Sequence, residues 1–106
     1  KIRAEHLITE HAVLQVKAGQ AHAFTAALRQ AEPLIAATPG FLGMEVLPCV
    51  ETPDRFLLLV RWETVEAHET GFRQSPRYAA WKALLHHFYD PFPVVEHYAP
   101  SVTSGG

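Results

Sequence analysis

Arg55-Phe56-Leu57-Leu58-Leu59-Val60-Arg61-Trp62-Glu63 is apolar over most of its length. In an extended chain successive side chains point to opposite faces. Phe56, Leu58, Val60 and Trp62 therefore share one face, and Leu57 and Leu59 share the other. A strand apolar on both faces predicts burial on both sides. The helical patterns flanking it can cover only one face of a small sheet. The other face calls for a second copy of the chain.

Working outward, Glu51-Thr52-Pro53-Asp54 reads as the turn that enters this strand, and Phe41 to Val50 as the strand before it. Pro48 cannot donate to a ladder, which predicts an edge position or a bulge. Before that lies a helical spacing from Gln20, with Phe24, Ala27, Leu28, Ala31, Leu34 and Ile35 on one stripe. Pro33 should bend this helix or tighten its last turns, and Thr38-Pro39-Gly40 ends it. Ile8 to Val16 reads as the first strand.

Beyond the central strand, Thr64 is placed as an N-cap, opening a short helix from Val65 to about Arg73. Ser75-Pro76 restarts a helix, with Ser as cap and Pro at its first position. Its stripe is Tyr78, Trp81, Leu84, Leu85 and Phe88, and Asp90-Pro91-Phe92-Pro93 stops it. Val94 to Tyr98 is a last short strand. The order β-α-β-β-α-β predicts an α+β, ferredoxin-like antiparallel sheet with both helices on one face and the first and last strands adjacent. One domain spans 8–98, with flexible ends at 1–7 and 99–106.

Bulk properties narrow the function. The chain has 106 residues, a net charge of -2 with His neutral, and scattered Lys and Arg. No basic stripe argues for nucleic acid, and no apolar run reaches membrane-spanning length. Cys49 is the single cysteine, which excludes a disulfide framework, suits the reducing cytoplasm and lacks a nucleophile's setting. No P-loop, GxGxxG or GxSxG is present, so nothing in the sequence points to a nucleotide, flavin or nicotinamide cofactor.

Seven His residues are many for this length. His68 and Phe72 lie one helical turn apart, beside Gly71. They predict either a pocket His with an aromatic wall, entered where Gly71 lacks a side chain, or a core His bonded to a carbonyl. Tyr78 and Trp81 are core stripe or pocket lining. His86 and His87 point about 100° apart on a helix, so they do not chelate jointly, and one should face solvent. His11 and His97 would meet across the sheet if the register allowed; metal binding is not expected. Arg61 and Glu45, on otherwise apolar strands, predict a cross-strand salt bridge. Arg73 is placed to meet an anionic substrate or to cap carbonyls.

Pro39-Gly40-Phe41-Leu42-Gly43, Phe56-Leu57-Leu58-Leu59-Val60-Arg61-Trp62-Glu63-Thr64 and Ser75-Pro76-Arg77-Tyr78 resemble the antibiotic biosynthesis monooxygenase superfamily. The resemblance runs from Ile8 to Tyr98, and the segment from Leu85 to Tyr98 looks like the ending of one bacterial branch. It implies a homodimer joined through the sheet faces as an α+β barrel, with a ligand cavity in each subunit between sheet and helices. It also implies oxidation of a small aromatic phenol or quinol by dioxygen without metal or flavin. His68 and Arg73 become the candidate catalytic residues, and Phe72, Tyr78, Trp81 and His97 the candidate substrate-binding residues. The haem-degrading relatives use an Asn on the first strand, where this chain has His11, and a His where it has Trp81 or Lys82. The alternative reading is a non-catalytic dimeric module that binds a small ligand or serves a stress response.

Overall fold

The computed structural model describes residues 7–103; of the expected flexible ends at 1–7 and 99–106, residues 1–6 and 104–106 lie outside the described residues. Four strands, β1 (Ile8–Gln15), β2 (Phe41–Pro48), β3 (Arg55–Trp62) and β4 (Val95–Tyr98), form an antiparallel sheet in the order β2-β3-β1-β4. Helices α1 (Ala21–Ala36) and α2 (Pro76–Leu85) complete the ferredoxin-like α+β fold expected from the sequence. β1 and β4 are neighbours, and β2, carrying Pro48, lies at an edge. The ladder also slips one residue between Phe41 and Gly43, so Leu42 is bulged.

The β3 alternation is realised on the covered face: Phe56, Leu58, Val60 and Trp62 are buried, while Leu57 and Leu59 are only partly covered. Register extends each face across the sheet. Glu10, Ala12 and Leu14 of β1, Met44 and Val46 of β2, and Val95 and His97 of β4 share the covered face. Phe24, Ala31 and Ile35 of α1 and Trp81 and Leu85 of α2 close over it.

Local chemistry explains the connections. Gly40 has a φ of +92°, and a Cβ there would stand 2.7 Å from the Cβ of Ala67. Only glycine meets both demands. Helix α1 runs through Pro33 and closes on a tight Thr38 N–H bond to the Ile35 carbonyl, 3.1 Å. The Leu34 carbonyl, otherwise orphaned at that helix end, accepts from Arg77 Nε at 3.1 Å, and Arg77 also donates to Thr38 Oγ1 at 3.0 Å. Carbonyl capping thus falls to Arg77, not Arg73.

Three local expectations are corrected. Thr64 does cap, accepting the Ala67 N–H at 3.0 Å, but residues Ala67–Phe72 wind as a π-helix. Arg73 N–H bonds back five residues to the His68 carbonyl at 2.9 Å. Ser75 does not cap α2 with its side chain; its hydroxyl donates to the Phe72 carbonyl at 2.7 Å, tying the π-segment to α2. Gly71 is no entrance: it does not border the cavity, and a Cβ there would make an ordinary 3.4 Å contact with Thr38 Cγ2.

Candidate functional site

A small cavity of about 50 Å3 lies between the covered face of the sheet and the π-segment with α2. Ala12, Leu58, Phe72, Tyr78 and Trp81 supply much of its wall. Phe72 meets Tyr78 and Trp81 edge-on, each at 5.4 Å between ring centres, at angles of 79° and 85°. Such T-shaped contacts fix ring planes as well as positions. The wall is therefore a rigid aromatic corner. Arg73 is exposed and reaches the same cavity.

The polar end of the cavity is built from three elements. Glu10 on β1 is 4% exposed and His68 on the π-segment 3%. Trp62 Nε1–H donates to Glu10 Oε1 at 2.9 Å, and His68 Nε2 stands 3.4 Å from the same oxygen. The indole of Trp62 also stacks on the His68 imidazole, 5.2 Å between centres and 20° from parallel. On the far side of that ring, His68 Nδ1 shares a 2.8 Å hydrogen bond with His97 Nε2. Both nitrogens of His68 are thus engaged, and its ring plane is held by Trp62.

Burial decides the charge states. It raises the Glu10 carboxyl above its usual range, against the opposing pull of the Trp62 hydrogen bond and the Arg73 charge. It pushes His68 down to about 3, helped by Arg73 and His97. Both groups favour their neutral forms, as charges removed from water do. His86, half-buried at the cavity, is also lowered, by burial and then by Lys82 and Arg73, and burial raises the Tyr89 hydroxyl. Glu10 and His97 approach opposite nitrogens of one imidazole, so the three do not converge on a point where an ion could sit. Among the described residues no group of three or more His, Cys, Asp or Glu is arranged to hold a metal.

The depressed His68 carries a stability signature. The unfolded chain takes up a proton near pH 6.5, whereas the folded chain resists until about pH 3. The unfolded state binds more protons across that window, so stability is lost as pH falls through it. We expect wild type to lose roughly 2 kcal/mol more than His68→Gln between pH 7 and pH 4.5. Urea denaturation at the two pH values measures this. Glu10, shifted upward, acts in the opposite sense, and the comparison with His68→Gln isolates the histidine. Equal losses in the two proteins would show that His68 is not desolvated.

His68, Phe72, Arg73, Tyr78 and Trp81 all border the cavity. His97 does not; it stands behind His68. The anticipated meeting of His11 with His97 fails because β1–β4 register pairs His97 with Glu10 and His11 with Glu96, on opposite faces. His11 instead meets Tyr98, 5.4 Å away on the outer face. Arg61 and Glu45 make a 3.8 Å ion pair there, about half-exposed. His87 faces solvent and His86 the cavity. Sequence reasoning missed Glu10, His86 and Tyr89. Glu10 was detectable: it shares strand phase with Ala12, Leu14 and Val16, where a carboxylate is out of place.

Comparison with known proteins adds family context. The family model described as antibiotic biosynthesis monooxygenase matches residues 7–84. YczJ, an uncharacterised protein of Bacillus subtilis, is 47% identical over 92 residues, covering 87% of this chain and 97% of that protein. A Bordetella bronchiseptica crystal structure, named as a candidate antibiotic biosynthesis monooxygenase, superposes with a TM-score of 0.86 at 33% identity, covering 92% of this chain and 99% of that one. SnoaB, a cofactor-independent oxygenase of Streptomyces nogalater, has a TM-score of 0.82 at 14% identity, covering 95% and 99%. The likeness to SnoaB is one of fold.

Proposed function

The chain belongs to the antibiotic biosynthesis monooxygenase family, and from that premise we propose that it oxidises a small electron-rich phenol or quinol with dioxygen. The observation that carries this reading is the aromatic-walled cavity with a neutral-favouring acid–base pair, Glu10 and His68, at its end. A substrate that ionises to a phenolate or carbanion can itself give an electron to dioxygen, without metal or flavin. The protein's task is then to take a proton, orient the ring and stabilise developing oxyanions.

For an anthrone-type substrate the balance is simple. The ring CH2 loses one proton to the Glu10 carboxylate, and the carbanion combines with dioxygen to give a peroxide. Loss of the second C–H proton breaks the O–O bond; one oxygen stays as the quinone carbonyl and the other leaves as water. Phe72, Tyr78 and Trp81 hold the ring, His68 shuttles the proton, and Arg73 faces the oxyanion. Oxygen uptake by metal-free, flavin-free protein against a panel of anthrones and hydroquinones tests this. Uptake proportional to protein, with one atom of labelled dioxygen found in the quinone, is the expected result. No uptake across the panel would overturn the reading in favour of a non-catalytic binding module.

The same reading includes a homodimer through the open face of the sheet. Val13, Leu57 and Leu47 stand side by side across three strands on that face, and Val13 and Leu47 are each 45% exposed. Tyr98 adds a half-exposed ring. Stable interfaces bury roughly 1,200–2,000 Å2 in total with an apolar centre, and this stripe supplies such a centre. Leu57→Asp, placing a carboxylate in the middle of the row, should convert a dimer to a folded monomer in analytical ultracentrifugation. A wild-type monomer, or a dimer unaffected by the substitution, would rule out this face.

A further inference from the structure

Glu10 and His97 are directly opposed residues of the β1–β4 pair, on the covered face. His68 descends between them from the π-segment, with Nε2 toward Glu10 at 3.4 Å and Nδ1 on His97 Nε2 at 2.8 Å. Glu10 borders the cavity, whereas His97 does not and sits half-buried on the edge strand. We propose that Glu10, His68 and His97 form a proton-conducting path from the cavity to solvent at the β4 edge of the sheet. Its use in turnover rests on the acid–base reading above, while conduction itself belongs to the resting protein.

The transfer balances without a buried imidazolium. Protonated Glu10 donates to the Nε2 lone pair of His68 as the His68 Nδ1 proton passes to His97 Nε2. The His97 Nδ1 proton leaves to water. Three O–H or N–H bonds break and three form, the carboxylate is regenerated, and each imidazole changes tautomer. Trp62 serves both ends of the first step, donating to the Glu10 oxygen and holding the His68 ring plane. The groups around the path favour this neutral route. Arg73 on the neighbouring turn opposes an imidazolium at His68, as does His97 from β4. Tyr78, His86 and Tyr89, on the far walls of the cavity, supply no anion to stabilise one. A static bond network would instead leave the His68 ring proton sealed at 3% exposure.

The test reads exchange of the His68 ring N–H with water, by nitrogen-15-edited NMR with water magnetisation transfer, on protein without substrate. Exchange is expected to be fast in wild type. It should slow on the order of 10²-fold in His97→Gln, because the amide keeps a hydrogen bond to His68 but relays no proton. In His97→Ala, free imidazole should restore the rate. Unchanged exchange in His97→Gln, or slowing in His97→Ala that imidazole leaves untouched, would overturn the path and leave His97 a structural partner. The two readings separate cleanly. Relay behaviour without oxygen uptake refutes the oxidation and keeps the path; uptake with unaltered exchange does the reverse.

Discussion

Trp62→Ala is expected to remove most of the stability of this chain. The residue is fully buried and contacts Phe41, His68 and Phe72 through its ring, with centre distances of 5.8, 5.2 and 6.3 Å. Truncating a buried Trp to Ala costs about 3–5 kcal/mol through lost transfer energy and the cavity left behind. A second cost follows because Glu10, 4% exposed, loses its Trp62 donor. Leaving a buried polar group unpaired costs about 1–3 kcal/mol. Together these approach the whole net stability of an ordinary domain, about 5–15 kcal/mol. Trp62→Phe separates the two terms. It keeps most of the ring area but deletes the N–H, so a loss of roughly 1–3 kcal/mol is expected. Urea denaturation of the three proteins measures both. A Trp62→Phe variant as stable as wild type would mean the Glu10 bond contributes nothing.

Trp62 also marks where the sequence was legible and where it was not. Its burial followed from the alternation of β3, because period-two patterning is local and needs no knowledge of partners. The element order gave the neighbouring β1 and β4 by the same kind of local reading. Glu10 shares its strand phase with Ala12, Leu14 and Val16, so its inward face was legible locally, but its partners Trp62 and His68 come from distant segments and were not. The β1–β4 register sends His11 outward and His97 inward, which adjacency in a strand pair alone does not specify. His68 and Phe72 were placed together by α-helical spacing, and both are buried. The π-winding that presents them leaves no residue signature, since the bonds that accompany it, Arg73 N–H to the His68 carbonyl and Ser75 Oγ to the Phe72 carbonyl, exist only in the folded segment. The aromatic corner was visible as a stripe; whether it enclosed a cavity depended on how closely the π-segment and α2 approach the sheet.

His68→Ala should lower turnover of any anthrone or hydroquinone that supports oxygen uptake by about 10²–10⁴-fold, the usual contribution of a positioned acid–base group. The loss should appear in kcat, because His68 reaches the cavity from behind Glu10 and acts on the proton, not on the apolar ring. Glu10→Gln is the sharper variant. The amide oxygen can still accept from Trp62 Nε1, so the fold persists, yet the side chain no longer takes a proton. Wild-type activity should climb with pH as the burial-raised Glu10 carboxyl ionises. That limb should vanish in Glu10→Gln. If the two residues handle one proton in series, the double variant will be little worse than either single variant, since groups acting as a unit are strongly non-additive. Fully additive losses would mean two separate roles. Undiminished uptake in His68→Ala would remove this pair from the chemistry and leave Trp62, Glu10 and His68 as a buried polar network that serves packing.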